Sequence, residues 1–218
     1  MKLDLLVYGG AVSACSIPIV GDQLCRLYHV PLPSNVVGTT VALLPYQTLL
    51  KTAQVSMCLP MQEWVPAPMM FAAMGVLQGG VYGHTVIHLT KRWKLTTTTP
   101  SPTGMFRGAM FAASRDSVSQ GLAFSTTIPI FDTILGKTPL SRKLDVACTA
   151  GVATLLSQGF HNAQSLMQSD STIGYGDTLR KLWSTHGVRA FWMGVEARIV
   201  LVVLVNVLND VFLYDRGV

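Results

Sequence analysis

The sequence predicts an all-α membrane protein with six transmembrane helices in three pseudo-repeated pairs. Composition and patterning both lead there. Of 218 residues, 50% are hydrophobic and only 12% charged, whereas globular domains carry about a quarter charged residues. The mean hydropathy is +0.42. Six runs (5–21, 27–50, 64–90, 117–131, 146–169 and 199–209) contain no Asp, Glu, Lys or Arg. A helix crosses a bilayer with about 20 mostly apolar residues. The shorter runs reach that length with a flanking charge that snorkels or faces protein.

The predicted spans lie near 3–28, 36–62, 68–92, 108–134, 143–168 and 193–214. Pro31 and Pro33 separate the first two, and Pro66 and Pro68 open the third. A Thr- and Pro-rich loop at 96–103 precedes the fourth, Gly136 and Pro139 separate the fourth from the fifth, and 169–176 is polar. Residues 175–186 predict a short amphipathic helix, with Leu179, Leu182 and Trp183 on one side and Arg180 and Lys181 on the other. It ends at Gly187 and is expected to lie along a membrane surface.

Several classes are excluded. Four cysteines in 218 residues are too few for a secreted disulfide scaffold, and Cys15, Cys25, Cys58 and Cys148 read as buried and reduced. A net charge of +5 from scattered basic residues offers no nucleic-acid groove. His84 and His88 have the i, i+4 spacing of a metal pair but no third ligand, so no metal or other cofactor is expected. No Ser-His-Asp, paired-carboxylate or phosphate-loop pattern points to an enzyme. Gly75, Gly79 and Gly83 form a small-residue stripe for close helix packing.

Six spans put both termini on one side. The opposite loops hold eight basic residues (Arg26, Lys91, Arg92, Lys94, Arg107, Arg180, Lys181, Arg189) against five on the terminal side (Lys2, Lys137, Arg142, Lys143, Arg216). That bias places the termini outside. The opening MKLDLL lacks the pattern of a transit peptide, and the first helix is expected to be retained.

A repeat search pairs Gly104, Phe106, Arg107 and Gly108 with Ala190, Phe191, Trp192 and Gly194, the final glycines lying 86 residues apart. Each opens a span and is followed by an arginine, Arg115 or Arg198; Gly38 opens another span upstream. The C-terminal third, with Gly151, Ser157, Gln168, Tyr175, Gly176, Asp177, His186, Gly187, Phe191, Gly194 and Arg198 in order, resembles one repeat of the mitochondrial carrier family. Residues 104–124 resemble the corresponding part of a second repeat; Gly9, Gly10 and Asp22 support a first. The resemblance implies one membrane domain over 1–218 with pseudo-repeats 1–64, 65–137 and 138–218, in a mitochondrial carrier-like bundle of the mitochondrial inner membrane.

The family closes its odd helices with Pro-x-[Asp/Glu]-x-x-[Lys/Arg], whose charges pair between repeats. The corresponding positions are Val20, Asp22 and Cys25; Val86, His88 and Lys91; and Gly159, His161 and Gln164. All three prolines are missing, and one acid and one base remain, so a three-pair ring cannot form. The second gate is also incomplete. Asp132 and Asp215 follow aromatics, but the basic positions hold Leu135 and Val218, and nothing comparable stands near 60–64. The short 29–35 and 94–103 loops leave no room for two of the family's three surface helices.

The resemblance makes Arg115, Asp116 and Arg198 the candidate substrate contacts, suited to an amino-acid-like or carboxylate solute. It makes Phe106, Arg107, Gly108, Tyr175, Gly176, Asp177, Trp192, Met193 and Gly194 candidate lipid contacts, for cardiolipin and other phospholipids. With both gates stripped, nothing evident holds two closed states of similar energy. The expectation is therefore a structural accessory subunit of an inner-membrane assembly, such as a respiratory-chain complex, with a solute transporter as the alternative.

Overall fold

The computed structural model describes residues 3–61, 67–97, 101–125 and 129–209. They fold into eight α-helices: α1 (Leu3–Leu27), α2 (Val36–Met61), α3 (Ala67–Trp93), α4 (Ala109–Ser125), α5 (Ile130–Leu135), α6 (Pro139–Ser169), α7 (Tyr175–His186) and α8 (Val195–Asn209). Single 3₁₀ segments, Pro102–Phe106 and Gly187–Phe191, lead into α4 and α8, and the described residues contain no strand.

Local chemistry fixes the boundaries. At the start of α6, Thr138 Oγ1 accepts from Ser141 N at 3.1 Å and Ser141 Oγ accepts from Thr138 N at 2.9 Å. This reciprocal cap satisfies two otherwise orphaned amides, and Pro139 follows where a missing N–H costs nothing. Gly108 and Gly194, at φ +73° and +74°, turn the chain into α4 and α8 through a region side-chain-bearing residues rarely enter.

The long helices adjoin in chain order: α1 on α2, α2 on α3, α3 on α4, α4 on α6 and α6 on α8, with α8 returning to α1. The result is a closed ring of six, in which α1, α3 and α6 also touch one another across the middle. The Gly75, Gly79 and Gly83 stripe packs inside this ring. A Cβ on Gly79 would stand 2.6 Å from Ala112 Cβ, and one on Gly83 would stand 2.3 Å from the Met105 carbonyl oxygen. Only glycine lets α3 come that close to α4 and its approach.

The boundaries of α1, α2, α3 and α6 lie within a few residues of those expected. The predicted 108–134 span differs, dividing into α4 and α5. Pro129 precedes α5, and the Asp145 carboxylate on α6 accepts from the amides of Phe131 (2.6 Å) and Asp132 (3.0 Å). A proline without an N–H and a carboxylate on a helix start favour a fresh nucleus over a continued helix. α7 occupies the predicted residues, but its apolar side is split: Leu182 is buried, whereas Leu179 and Trp183 are exposed. Of the cysteines, Cys25 is buried and free, and Cys15 and Cys148 are free but half-buried. The Cys58 side chain lies outside the described residues.

Among the described helices, one is long and apolar enough to cross a membrane: Asp4–Leu27, 24 residues at hydropathy 1.5, with 44% of its window buried. Of the other long helices, α4 and α8 are shorter, at 17 and 15 residues, and α2, α3 and α6 carry buried polar residues such as Gln47, Thr85 and Gln164 that lower their hydropathy.

Candidate functional site

The middle of the ring is polar and tightly bonded. Residues 161–170, the end of α6 and its cap, are all buried, although His161, Asn162, Gln164, Ser165, Gln168, Ser169 and Asp170 among them are polar. Buried polar groups are costly unless partnered; α1, α3, α4 and the segment leading into α8 supply most of the partners, while Gln168 Oε1 has none among the described residues.

Gln23 of α1 is the hub. Its Nε2 donates to Asn162 Oδ1 at 2.6 Å, and its Oε1 lies 2.7 Å from His161 Nε2. Tyr82 of α3 lies 2.8 Å, hydroxyl to hydroxyl, from Ser165, and reaches Gln23 Oε1 at 3.4 Å. Gln168 Nε2 donates to the Gly79 and Met105 carbonyls at 3.0 and 2.8 Å. These contacts lash α1, α3 and α6 together with neutral groups.

Arg115, Asp116 and Arg198 lie on the inner faces of α4 and α8, with exposures of 4%, 8% and 8%. Arg115 grips its neighbour bidentately, Nε to Asp116 Oδ1 at 2.5 Å and Nη2 to Oδ2 at 2.8 Å. Its Nη1 donates to Gln164 Oε1 at 2.9 Å and lies 3.3 Å from His161 Nδ1. Arg198 donates to Gln158 Oε1 and Ser157 Oγ, both at 3.1 Å. Both guanidinium groups are therefore engaged by protein groups.

The positions matched to the odd-helix gate behave individually. Asp22 accepts from Arg26 one turn on at 2.8 Å, and Arg26 also binds Glu196, joining α1 to α8. His88 stacks on His84 with ring centroids 4.3 Å apart, while His84 Nδ1 lies 2.7 Å from Gln47 Nε2. His161 and Gln164 serve the interior lashing. Among the described residues, no ion pair joins α1, α3 and α6. At the other gate, Asp132 accepts from Ser141 rather than from a cation. The matching Asp215, and positions 62–64 of the first repeat, lie outside the described residues.

The candidate lipid residues fall in two places. Arg107 donates to the Met167 carbonyl at 3.2 Å and to the Ile173 carbonyl, tying the α4 turn to the end of α6. Next to it, the amide of Met110 donates to the Tyr175 hydroxyl at 3.4 Å, and Phe111 packs on the Tyr175 ring at 5.1 Å. The starts of α4 and α7, with Phe106, Gly108, Gly176 and Asp177, thus share one corner. Asp177 pairs with Arg180 at 3.6 Å. Trp192, Met193 and Gly194 sit apart, at the start of α8 beside the end of α1. The Met193 carbonyl accepts from Gln158 at 2.8 Å and from Asn162 at 3.1 Å, while Trp192 is exposed.

Sequence reasoning missed Gln23, Tyr82 and Lys51. Lys51 Nζ on α2 donates to Gln54 Oε1 at 3.0 Å and to Gln78 Oε1 on α3 at 2.5 Å. The signal for Lys51 was available, since a lysine between two apolar runs must find partners or snorkel.

At the end of α6, Asp170 caps the helix. Burial opposes its ionisation, but bonds from the Thr172 hydroxyl (2.7 Å) and amide (3.1 Å) and from Lys181 Nζ (3.0 Å) prevail, and its carboxyl is held below the usual value. Comparison with known protein families finds no matching family model, and comparison with curated proteins finds no matching sequence.

Proposed function

We propose that this chain is a membrane-embedded structural subunit with a degenerate carrier-like bundle and no transport activity. It belongs with other subunits of a mitochondrial inner-membrane assembly, such as a respiratory-chain complex, with six of its helices crossing the bilayer. The observation that carries the reading is the neutral lashing of α1, α3 and α6 through Gln23, Tyr82, His161 and Ser165. A transporter must part such helices each cycle and so holds each closed state with contacts of comparable strength. The same interior occupies Arg115, Asp116 and Arg198, the groups a solute would need.

The outer faces support the membrane reading. Val37, Val41, Leu49 and Met57 of α2, Leu155 and Leu156 of α6, and Val200 and Leu204 of α8 are all exposed. A bilayer or a partner helix accepts such faces, and water does not. The corner formed by Arg107, Gly108, Tyr175 and Gly176 is the proposed phospholipid contact, cardiolipin included.

The test is migration on a native gel of mitochondria solubilised in mild detergent. Stable co-migration with a respiratory complex through purification is expected. Migration as a small free species would overturn the subunit reading. Solute uptake by proteoliposomes, abolished by Arg115→Ala, would establish the transporter instead.

A further inference from the structure

His84 and His88 stand one turn apart on the same side of α3. Spacing alone supplies two imidazoles and nothing to hold them; the fold adds the support. The Tyr46 ring of α2 lies against His84 at 4.2 Å, centroid to centroid, and the buried carboxamide of Gln47 sits 2.7 Å from His84 Nδ1. The neighbouring helix thereby fixes His84 from two directions and leaves Nε2 as its unused nitrogen. His88 is exposed and makes no hydrogen bond or ion pair among the described residues, so its ring is free to complete a chelate.

The distance between the rings selects the ion. An imidazole nitrogen binds a metal at about 2.0–2.1 Å, which puts each ring centre about 3.2 Å from it. Two such rings stand about 5.1 Å apart at a tetrahedral angle and about 4.5 Å apart at a right angle. His84 and His88 are 4.3 Å apart. The right angle belongs to the square-planar ions that take nitrogen and oxygen ligands, Cu²⁺ and Ni²⁺, and Cu²⁺ binds the more tightly of the two.

The pair is also placed where an aqueous ion can reach it. Lys91 and Arg92 occupy the last turn of α3, about one turn beyond His88, and such charges mark the exit of a helix from the bilayer.

We propose that His84 and His88 bind one Cu²⁺ ion through one imidazole nitrogen each. The proposal does not depend on whether the chain is a structural subunit. Among the described residues no third His, Cys, Asp or Glu joins the pair, so water fills the remaining positions and the ion stays exchangeable. Binding at His84 Nε2 leaves the ring proton on Nδ1. A half-turn of the Gln47 carboxamide presents its oxygen to that proton, and an outer partner of this kind orients a ligating histidine and raises its basicity. Lys91 opposes the cation.

The experiment uses the tag-free full chain in nanodiscs, titrated with CuCl₂ against glycine as a competing chelator and followed by electron paramagnetic resonance. A saturable site with hyperfine splitting from two imidazole nitrogens is expected. Removal of an outer partner costs about 10–100-fold in metal affinity, so Gln47→Leu should weaken binding about tenfold with the two-nitrogen spectrum kept. His84→Gln and His88→Gln should each weaken it about a hundredfold and leave one nitrogen in the spectrum. Lys91→Gln should tighten it, which no general loss of structure would produce. His186→Gln, which breaks the separate His29 and His186 pair, should leave it unchanged. Absence of a two-nitrogen spectrum, binding unmoved by His84→Gln and His88→Gln in variants with wild-type melting curves, or binding lost in His186→Gln overturns the proposal.

Discussion

Removing Asp116 alone should damage the protein more than removing Asp116 and Arg115 together. Arg115 makes two bonds to Asp116, at 2.5 and 2.8 Å, and one to Gln164 at 2.9 Å, with 4% of its surface exposed. Asp116→Ala leaves a buried guanidinium with neutral partners only, and breaking a buried pair in this way costs about 3–5 kcal/mol. In Arg115→Met with Asp116→Leu, both charges leave. The residual cost is the Gln164 oxygen, unpartnered at about 1–3 kcal/mol, partly offset by the added apolar packing. The double variant should therefore be the more stable by about 2 kcal/mol. Reversible unfolding in mixed micelles, followed by far-ultraviolet circular dichroism, measures the difference. A double variant no more stable than Asp116→Ala, or an Asp116→Ala protein as stable as wild type, would refute the structural role of the pair. If the double variant is stable but loses a measurable uptake, the residues serve a solute.

Three further outcomes follow from the geometry. Gly83→Ala places a Cβ 2.3 Å from the Met105 carbonyl oxygen and should destabilise the bundle by about 1–3 kcal/mol; Gly151→Ala, with nothing within 4 Å, should be neutral or stabilise by up to about 1 kcal/mol in the same melt. Asp170 has a lowered folded-state value, so its stabilisation is present above the ordinary carboxylate range and disappears as pH falls through the lowered one. Asp170→Asn should accordingly lose stability at neutral pH yet converge with wild type in strong acid, read from melting temperature against pH. Tyr82→Phe removes the hydroxyl shared with Ser165 and Gln23 and should cost about 0.5–1.5 kcal/mol, measured by the same unfolding assay.

The long helices were legible because prolines, glycines and charges punctuate apolar runs, and those signals act locally. The division of 108–134 was only half legible. Pro129 stood in plain view, but the Asp145 cap comes from another helix and cannot be read from local pattern. The site divides the same way. Arg115, Asp116 and Arg198 stood out as charges inside apolar spans, and they are indeed buried on inner faces. Gln23 and Tyr82 did not, because neutral polar residues in a helix look alike whether they face a partner or a loop. The buried run after Phe160 held the missing clue, since seven polar residues in ten require partners from several neighbours once they are buried. The carrier resemblance named Arg107 and Tyr175 as lipid contacts, but that they share one corner is visible only in the fold.

The 31 residues of α6 rise about 46 Å, half again the hydrocarbon thickness of a bilayer. The exposed apolar side chains along it, Leu140, Val146, Val152, Leu155, Leu156 and Phe160, end at Phe160, about 30 Å from Leu140. Arg142 and Lys143, exposed near that first end, can curl back to the headgroups. The nine residues of the helix beyond Phe160 are all buried. A bilayer around α6 would therefore match its thickness to the first two-thirds, without demanding a steep tilt, and the last third would stand clear of the lipid inside a collar of protein. Thinning or thickening the membrane would tax the first part alone, and the bonded interior around His161 would sit at the water-facing rim, insulated from the bilayer's thickness.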